Sequence, residues 1–129
     1  MENRAVTTYR DLEVWRKSID LTEACYRLTA SFPRDEIYGM TSQIRRASVS
    51  IAANIAEGHG REQTGSFVQF LRQAQGSLKE LETHAIIAGR VGLSTEQKVS
   101  EVLADCETIG KMLRGLIRSL QKKSVGGIA

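Results

Sequence analysis

IYGMTSQIRRASVSIAANIAEGHG, residues 37–60, is the stretch around which the rest of the chain is organised. Wound as a helix at about 100° per residue, it places Met40, Ile44, Ala47, Ser48, Ile51, Ile55 and Gly58 on one face. A second stripe of small or apolar residues, Ser42, Val49, Ala53 and Ala56, falls nearly opposite. Between the two, Gln43, Arg46, Ser50, Asn54 and Glu57 line up as a single polar seam. The surface helix of a monomer carries one apolar stripe and a broad charged back. A helix with two non-polar sides is covered twice, so the pattern predicts a helix over 38–58 held between its own fold and a neighbour.

On the N-terminal side, residues 11–31 are periodic as well. Leu12, Trp15, Ile19, Thr22 and Tyr26 share a face, and Val14, Leu21, Cys25 and Leu28 widen it to about half the circumference. The other side offers Glu13 to Lys17, Arg16 to Asp20 and Glu23 to Arg27 as i,i+4 pairs. Phe32-Pro33 ends this helix, because proline disfavours the α region for the residue before it.

On the C-terminal side, Gly58-His59-Gly60 reads as a helix cap and turn. Phe67, Phe70, Leu71, Ala74, Leu78, Leu81, Ala85 and Ala88 then keep a bundle spacing over 64–90. Ser94 and Gln97 read as a capping box opening a fourth helix over 95–123. Its inward residues are Val99, Val102, Leu103, Cys106, Ile109, Leu113, Leu116, Ile117 and Leu120. Residues 1–9, which show no periodicity, and 124–129, with Gly126-Gly127, are expected to be loose, flexible tails. Four amphipathic helices with short connections predict an all-α fold, an up-down-up-down antiparallel four-helix bundle occupying 1–129 as a single domain. Gly76, Gly110 and Gly115 sit inside helices, where glycine costs about 1 kcal/mol against alanine; close backbone packing is the expected compensation.

Composition narrows the function classes. The 129 residues are 41% hydrophobic but only 5% aromatic, so the core is built from Leu, Ile, Val and Ala. A formal charge of +3 permits an anionic partner without demanding one. Two cysteines far apart form no secreted disulfide framework. The polar opening MENRAVTTYR has no signal-peptide core, and no run approaches the roughly 20 apolar residues of a membrane span. The expected location is cytoplasmic.

No motif for enzymatic chemistry emerges. A carboxylate-bridged di-metal bundle needs a Glu-x-x-His pair from each of two helices, whereas Glu80 and His84 stand at i,i+4 and occur once. Cys25 and Cys106 lie on apolar faces and read as small buried hydrophobes. No phosphate loop is present. No metal, no cofactor and no catalytic residue is expected.

Charge patterning says more. Lys111, Arg114, Arg118 and Lys122 form a stripe on the fourth helix, and Arg72, Lys79 and Arg90 form one on the third. Neighbouring helices would join Arg72, Lys79, Lys111, Arg114, Arg118 and Lys122 into one cationic, nucleic-acid-binding surface. The stripe also reads as a solvated face: cations late in the fourth helix favour its dipole, and Glu107 can pair with Lys111. No aromatic residue interleaves it, so contacts would go to phosphates and depend on salt. On the second helix, Arg46, Val49, Ala53, Asn54, Ala56 and Glu57 are the candidate contacts with another subunit. The polar seam there is either wet or a hydrogen-bonded network at that contact.

Five blocks carry a family resemblance: YRDLEVW at 9–15, Phe32-Pro33, YGMTSQIRR at 38–46, SIAANIAEG at 50–58 and GSLKELE at 76–82. Together they resemble the bacterial four-helix bundle proteins encoded within intervening sequences of 23S ribosomal RNA genes, over about residues 9–120. Ala52 departs from the pattern, since many relatives carry proline there; this loosens a helix kink. The resemblance implies a bundle that assembles as a ring-like homopentamer. It further implies kinship with the accessory protein of diversity-generating retroelements, a basic pentamer that binds RNA and a reverse transcriptase. It supplies no catalytic residue. Two functions are therefore expected in competition. One is a non-enzymatic oligomer that binds structured RNA. The other is a protein-interaction scaffold or accessory subunit of a reverse transcriptase.

Overall fold

Apolar residues recurring every three or four positions wind the chain into α1 (Glu13–Thr29), α2 (Met40–Gly60), α3 (Thr64–Arg90) and α4 (Glu96–Ile128), with no strand among the described residues. The structure, a computed structural model, describes residues 6–128, with side chains through residue 123. Backbone contacts join α1 to α2, α2 to α3, α3 to α4 and α4 to α1, while neither diagonal pair of helices meets among the described residues. The four helices thus form a four-cornered bundle around one aliphatic core. Its centre is a layer of fully buried side chains drawn from every helix: Leu21, Ile44, Ile51, Ile55, Leu71, Leu78, Ile109 and Leu113. The inward face expected for α2 is the buried one, with Ile44, Ala47, Ser48, Ile51, Ile55 and Gly58 covered.

On α1 the inward face is rotated from the expected one. Val14, Ser18, Leu21, Cys25 and Leu28 are buried, whereas Trp15 and Ile19 are half-buried and Tyr26 is exposed. The reason is the α1–α2 contact, which is made by small and hydroxylated residues. Ser18, Thr29 and Ser48 satisfy their hydroxyls on carbonyls of their own helices, at 2.8, 2.8 and 2.9 Å. Thr22 donates across the interface to the Ser48 carbonyl at 3.1 Å. Arg45 of α2 reaches back to α1, its Nε donating to Thr29 Oγ1 at 2.8 Å and its guanidinium lying 4.5 Å over the Tyr26 ring. The large residues are displaced to the flank of this narrow contact.

Several boundaries also differ from the sequence expectation. Thr7 and Thr8 are not loose: Asp11 accepts from both backbone amides, and Thr8 caps a 3₁₀ turn over Tyr9–Asp11. Residues 1–5 lie outside the described residues. Gly58 and Gly60 do not cap α2, which runs through both; the break comes at Glu62, whose φ is 58°. Gly58 instead permits close approach, since a Cβ there would lie 2.6 Å from the Phe70 Cβ. The N-cap of α4 is Thr95, which accepts from the Lys98 amide at 3.2 Å, rather than Ser94 with Gln97. The α4 backbone stays helical to Ile128 rather than ending near Lys123; Ala129 lies outside the described residues. None of the three i,i+4 pairs expected on α1 forms; Arg16 donates to the Arg10 carbonyl instead.

Gly89 and Gly110 fix the fit of α3 on α4. A Cβ on Gly89 would meet Val99 Cγ2 at 2.9 Å, and one on Gly110 would touch Leu78 Cδ2 at 3.4 Å. Gly76 and Gly115 have nothing within 4 Å, so close packing within the chain does not account for them. Two outcomes follow for urea unfolding. Gly58→Ala lowers stability by about 1–3 kcal/mol, because the new methyl overlaps a Cβ that cannot rotate away. Gly76→Ala raises it by about 0.5–1 kcal/mol, the ordinary helix gain where space is open.

Candidate nucleic-acid interface

All six cations of the expected binding surface, Arg72 and Lys79 on α3 with Lys111, Arg114, Arg118 and Lys122 on α4, are exposed. They are not equivalent. Lys79 Nζ lies 3.1 Å from Glu82 Oε1, and Lys111 Nζ lies 3.8 Å from Glu107 Oε2. Among the described residues no carboxylate pairs with Arg72, Arg114, Arg118 or Lys122. An exposed ion pair contributes about 0–1 kcal/mol to stability. It nevertheless places a negative charge beside the ammonium that an approaching anion would meet.

The six residues proposed for a subunit contact divide between two surfaces. Arg46, Val49 and Ala53 are exposed on the outside of α2, with Val49 at 44% of its full exposure, and Ala56 is half-buried beside them. Asn54 turns toward the α2–α3 seam. Its amide donates to the Ser50 carbonyl at 2.8 Å and to Ser50 Oγ at 3.0 Å, and Ser50 Oγ lies 2.8 Å from Ser77 Oγ of α3. Ser50 and Asn54, two of the five residues of the polar seam, are therefore satisfied within the chain. Glu57 pairs at 3.1 Å with Arg61, the C-cap residue of α2, and the Arg61 guanidinium lies 5.1 Å over the Phe70 ring. Arg46 has no carboxylate partner among the described residues.

Sequence reasoning missed Arg45, the residue that ties α2 to the end of α1. Its neighbour Arg46 has the same composition signal, and only the helix phase separates them: one turns toward Thr29 and Tyr26, the other outward. A hydroxyl and an aromatic three residues apart near the end of α1 were the available clue.

No three His, Cys, Asp or Glu side chains converge among the described residues. Glu80 Oε2 lies 3.6 Å from His84 Nε2, a one-turn contact with no ligand added from another helix. Cys25 and Cys106 are free and have no solvent exposure. Burial pushes both thiols up, from an ordinary 9.0 to about 12, so neither supplies a thiolate near neutral pH. No helix among the described residues is long and apolar enough to cross a membrane.

Comparison with known proteins bears on this arrangement. The family described as 23S rRNA-intervening sequence protein matches over residues 10–115. A crystal structure of a protein of unknown function from the S23 ribosomal protein family of Bacteroides thetaiotaomicron superposes with a TM-score of 0.72 at 24% identity, covering 81% of this chain and 97% of that one. At that identity the likeness speaks for the fold. No curated protein matches the chain significantly.

The buried thiols set a pH dependence. Below about pH 9 they are protonated in the folded and unfolded chains alike and add no slope. Above it the unfolded chain ionises first, so stability falls as pH rises toward about 12, by about 1.4 kcal/mol per pH unit for each thiol. Urea unfolding of wild type and Cys25→Ala/Cys106→Ala across this range isolates the effect: the variant has the shallower alkaline decline.

Proposed function

The chain belongs to the 23S rRNA-intervening sequence protein family, and from that premise we propose that it is a non-enzymatic, cytoplasmic, oligomeric bundle that binds structured RNA through phosphate contacts. Its helices run up-down-up-down. In support, paired contacts descend on one helix as they ascend on the next: Ser50 with Ser77 and Gly58 with Phe70, then Leu78 with Gly110 and Gly89 with Val99. The observation that carries RNA binding is the exposed cationic surface of α3 and α4, in which Arg72, Arg114, Arg118 and Lys122 have no carboxylate partner among the described residues. Such a surface attracts a phosphate backbone through charge and counterion release.

Assembly precedes the ligand in this reading. The outer face of α2 presents Val49 and Ala53 to water in the single chain, small enough for another helix to approach closely. A second copy, in a homopentameric ring, covers it. The competing role is that of a scaffold or accessory subunit of a reverse transcriptase. It is favoured by Ile37, Tyr38 and Val91, apolar side chains exposed in the helix connections, Tyr38 at 93%.

Two measurements test the proposal. In sedimentation, wild type runs as an oligomer and Ala53→Glu as a single chain with unchanged helical circular dichroism; a wild-type monomer sinks the assembly. In a salt-titrated RNA-binding assay, Arg114→Glu/Arg118→Glu loses affinity. Equal affinity in both proteins, or none in either at low salt, counts against the binding role.

A further inference from the structure

Several stretches of this chain hold no acidic residue, and two of them lie on the neighbouring helices α3 and α4. Residues 64–79 and 108–128 contain none of the 15 Asp and Glu but seven of the 18 Lys and Arg. The remaining 11 cations are set against all 15 acids, so a chain of net +3 divides into a +7 portion and a −4 portion. The α3–α4 register brings the two acid-free segments together. Leu78 lies against Gly110 and Gly89 against Val99, eleven residues onward along α3 and eleven back along α4. Carried the other way, that register sets 64–79 opposite 109–124 and puts Arg72 level with Leu116, between Arg114 and Arg118.

Helix phase turns these side chains toward the shared seam. Ile86 of α3 and Ser100 of α4 line one groove between the two helices. Arg72 and Lys79 precede Ile86 at seven-residue steps, and Glu107 and Arg114 follow Ser100 at the same steps. Two heptads drift by only about 40° on a straight helix, so Arg72 and Arg114 border the seam from opposite sides. Arg118 lies one turn beyond Arg114. The lysines that also border this face, Lys79 and Lys111, stand where acids resume and are paired with Glu82 and Glu107.

Resting on the RNA-binding reading, we infer that the phosphate site is this acid-free half of the α3–α4 seam, centred on Arg72, Arg114 and Arg118, and that it takes the backbone of a base-paired nucleic acid rather than an unpaired strand. Proteins that hold unpaired strands stack bases on exposed aromatic rings, at about 1–3 kcal/mol per base. Of the two phenylalanines in these segments, Phe67 is buried and Phe70 is half-buried, and both pack toward Gly58 of α2, Phe70 beneath the Arg61 guanidinium, so neither ring is free to stack beside this half-seam. Guanidiniums without carboxylates suit phosphate oxygens, which they bind in bidentate fashion. A duplex presents such oxygens in rows without requiring any base to be exposed.

Fluorescence anisotropy with a labelled RNA hairpin, the matching DNA hairpin and an oligouridine of equal length, each over a salt series, tests the inference. Hairpins are expected to bind more tightly than oligouridine. Arg114→Gln/Arg118→Gln should weaken the hairpin complex about tenfold or more and lower the slope of log affinity against log salt by about two. Lys79→Gln/Lys111→Gln should weaken it by less than about threefold, because each lysine already faces a carboxylate. Oligouridine binding as tightly as the hairpin, or equal losses in the two double variants, overturns the inference while leaving RNA binding intact. Absence of binding to every probe at low salt overturns both. The two hairpins separate RNA from DNA as the source of the duplex.

Discussion

Everything in this bundle depends on the burial of Ile44, Ile51 and Ile55, which α2 inserts into the centre of the core with no residual exposure. Each fully buried isoleucine contributes about 1.5–3 kcal/mol from removal of apolar surface from water. Because the three share one stripe, they set the rotation of α2 about its own axis. That rotation decides the fate of every other residue on the helix. Ser48 and Arg45 turn to α1, Ser50 and Asn54 turn to α3, and Val49 and Ala53 are left outside.

The helices around α2 meet through small residues rather than large ones. Thr22 and Ser48 on one side and Gly58 against Phe70 on the other bring backbones close, and the hydroxyls find partners without water. The pattern also explains the low aromatic content: a core of Leu, Ile, Val and Ala fills a narrow four-helix interior, while Trp15 and Tyr26 are pushed to its edge. The core and the cationic surface then separate in space. Core residues occupy the inward stripes, and the cations of α3 and α4 stand exposed outside them.

Charge is distributed along the helices as well as around them. The acids of α4 end at Glu107 and those of α3 begin at Glu80, so the two helices exchange sign near their midpoints. An arrangement of this kind repels itself at low salt. On the proposed role, an anion on that surface would relieve the repulsion, and a mixed surface of equal cation number would have less of it to relieve.

Much was legible from periodicity. Four helices, the inward stripe of α2, the bundle seam of α3 and the exposed cations of α4 all follow from apolar spacing, because burial in a helix repeats every three or four residues. The family resemblance was legible too, in blocks such as SIAANIAEG. Tertiary contact decided what spacing alone left open. The α1 face turned toward Val14, Ser18 and Leu21 because Thr22 meets the Ser48 carbonyl directly across the α1–α2 contact, which sets the rotation of α1 against α2. Gly58 proved to be a point of close approach to Phe70 rather than a cap. Asn54 was drawn into the α2–α3 seam. Helical periodicity tells which residues share a side, but the width of each contact and the register between helices are properties of two elements at once, and these came from the packed structure.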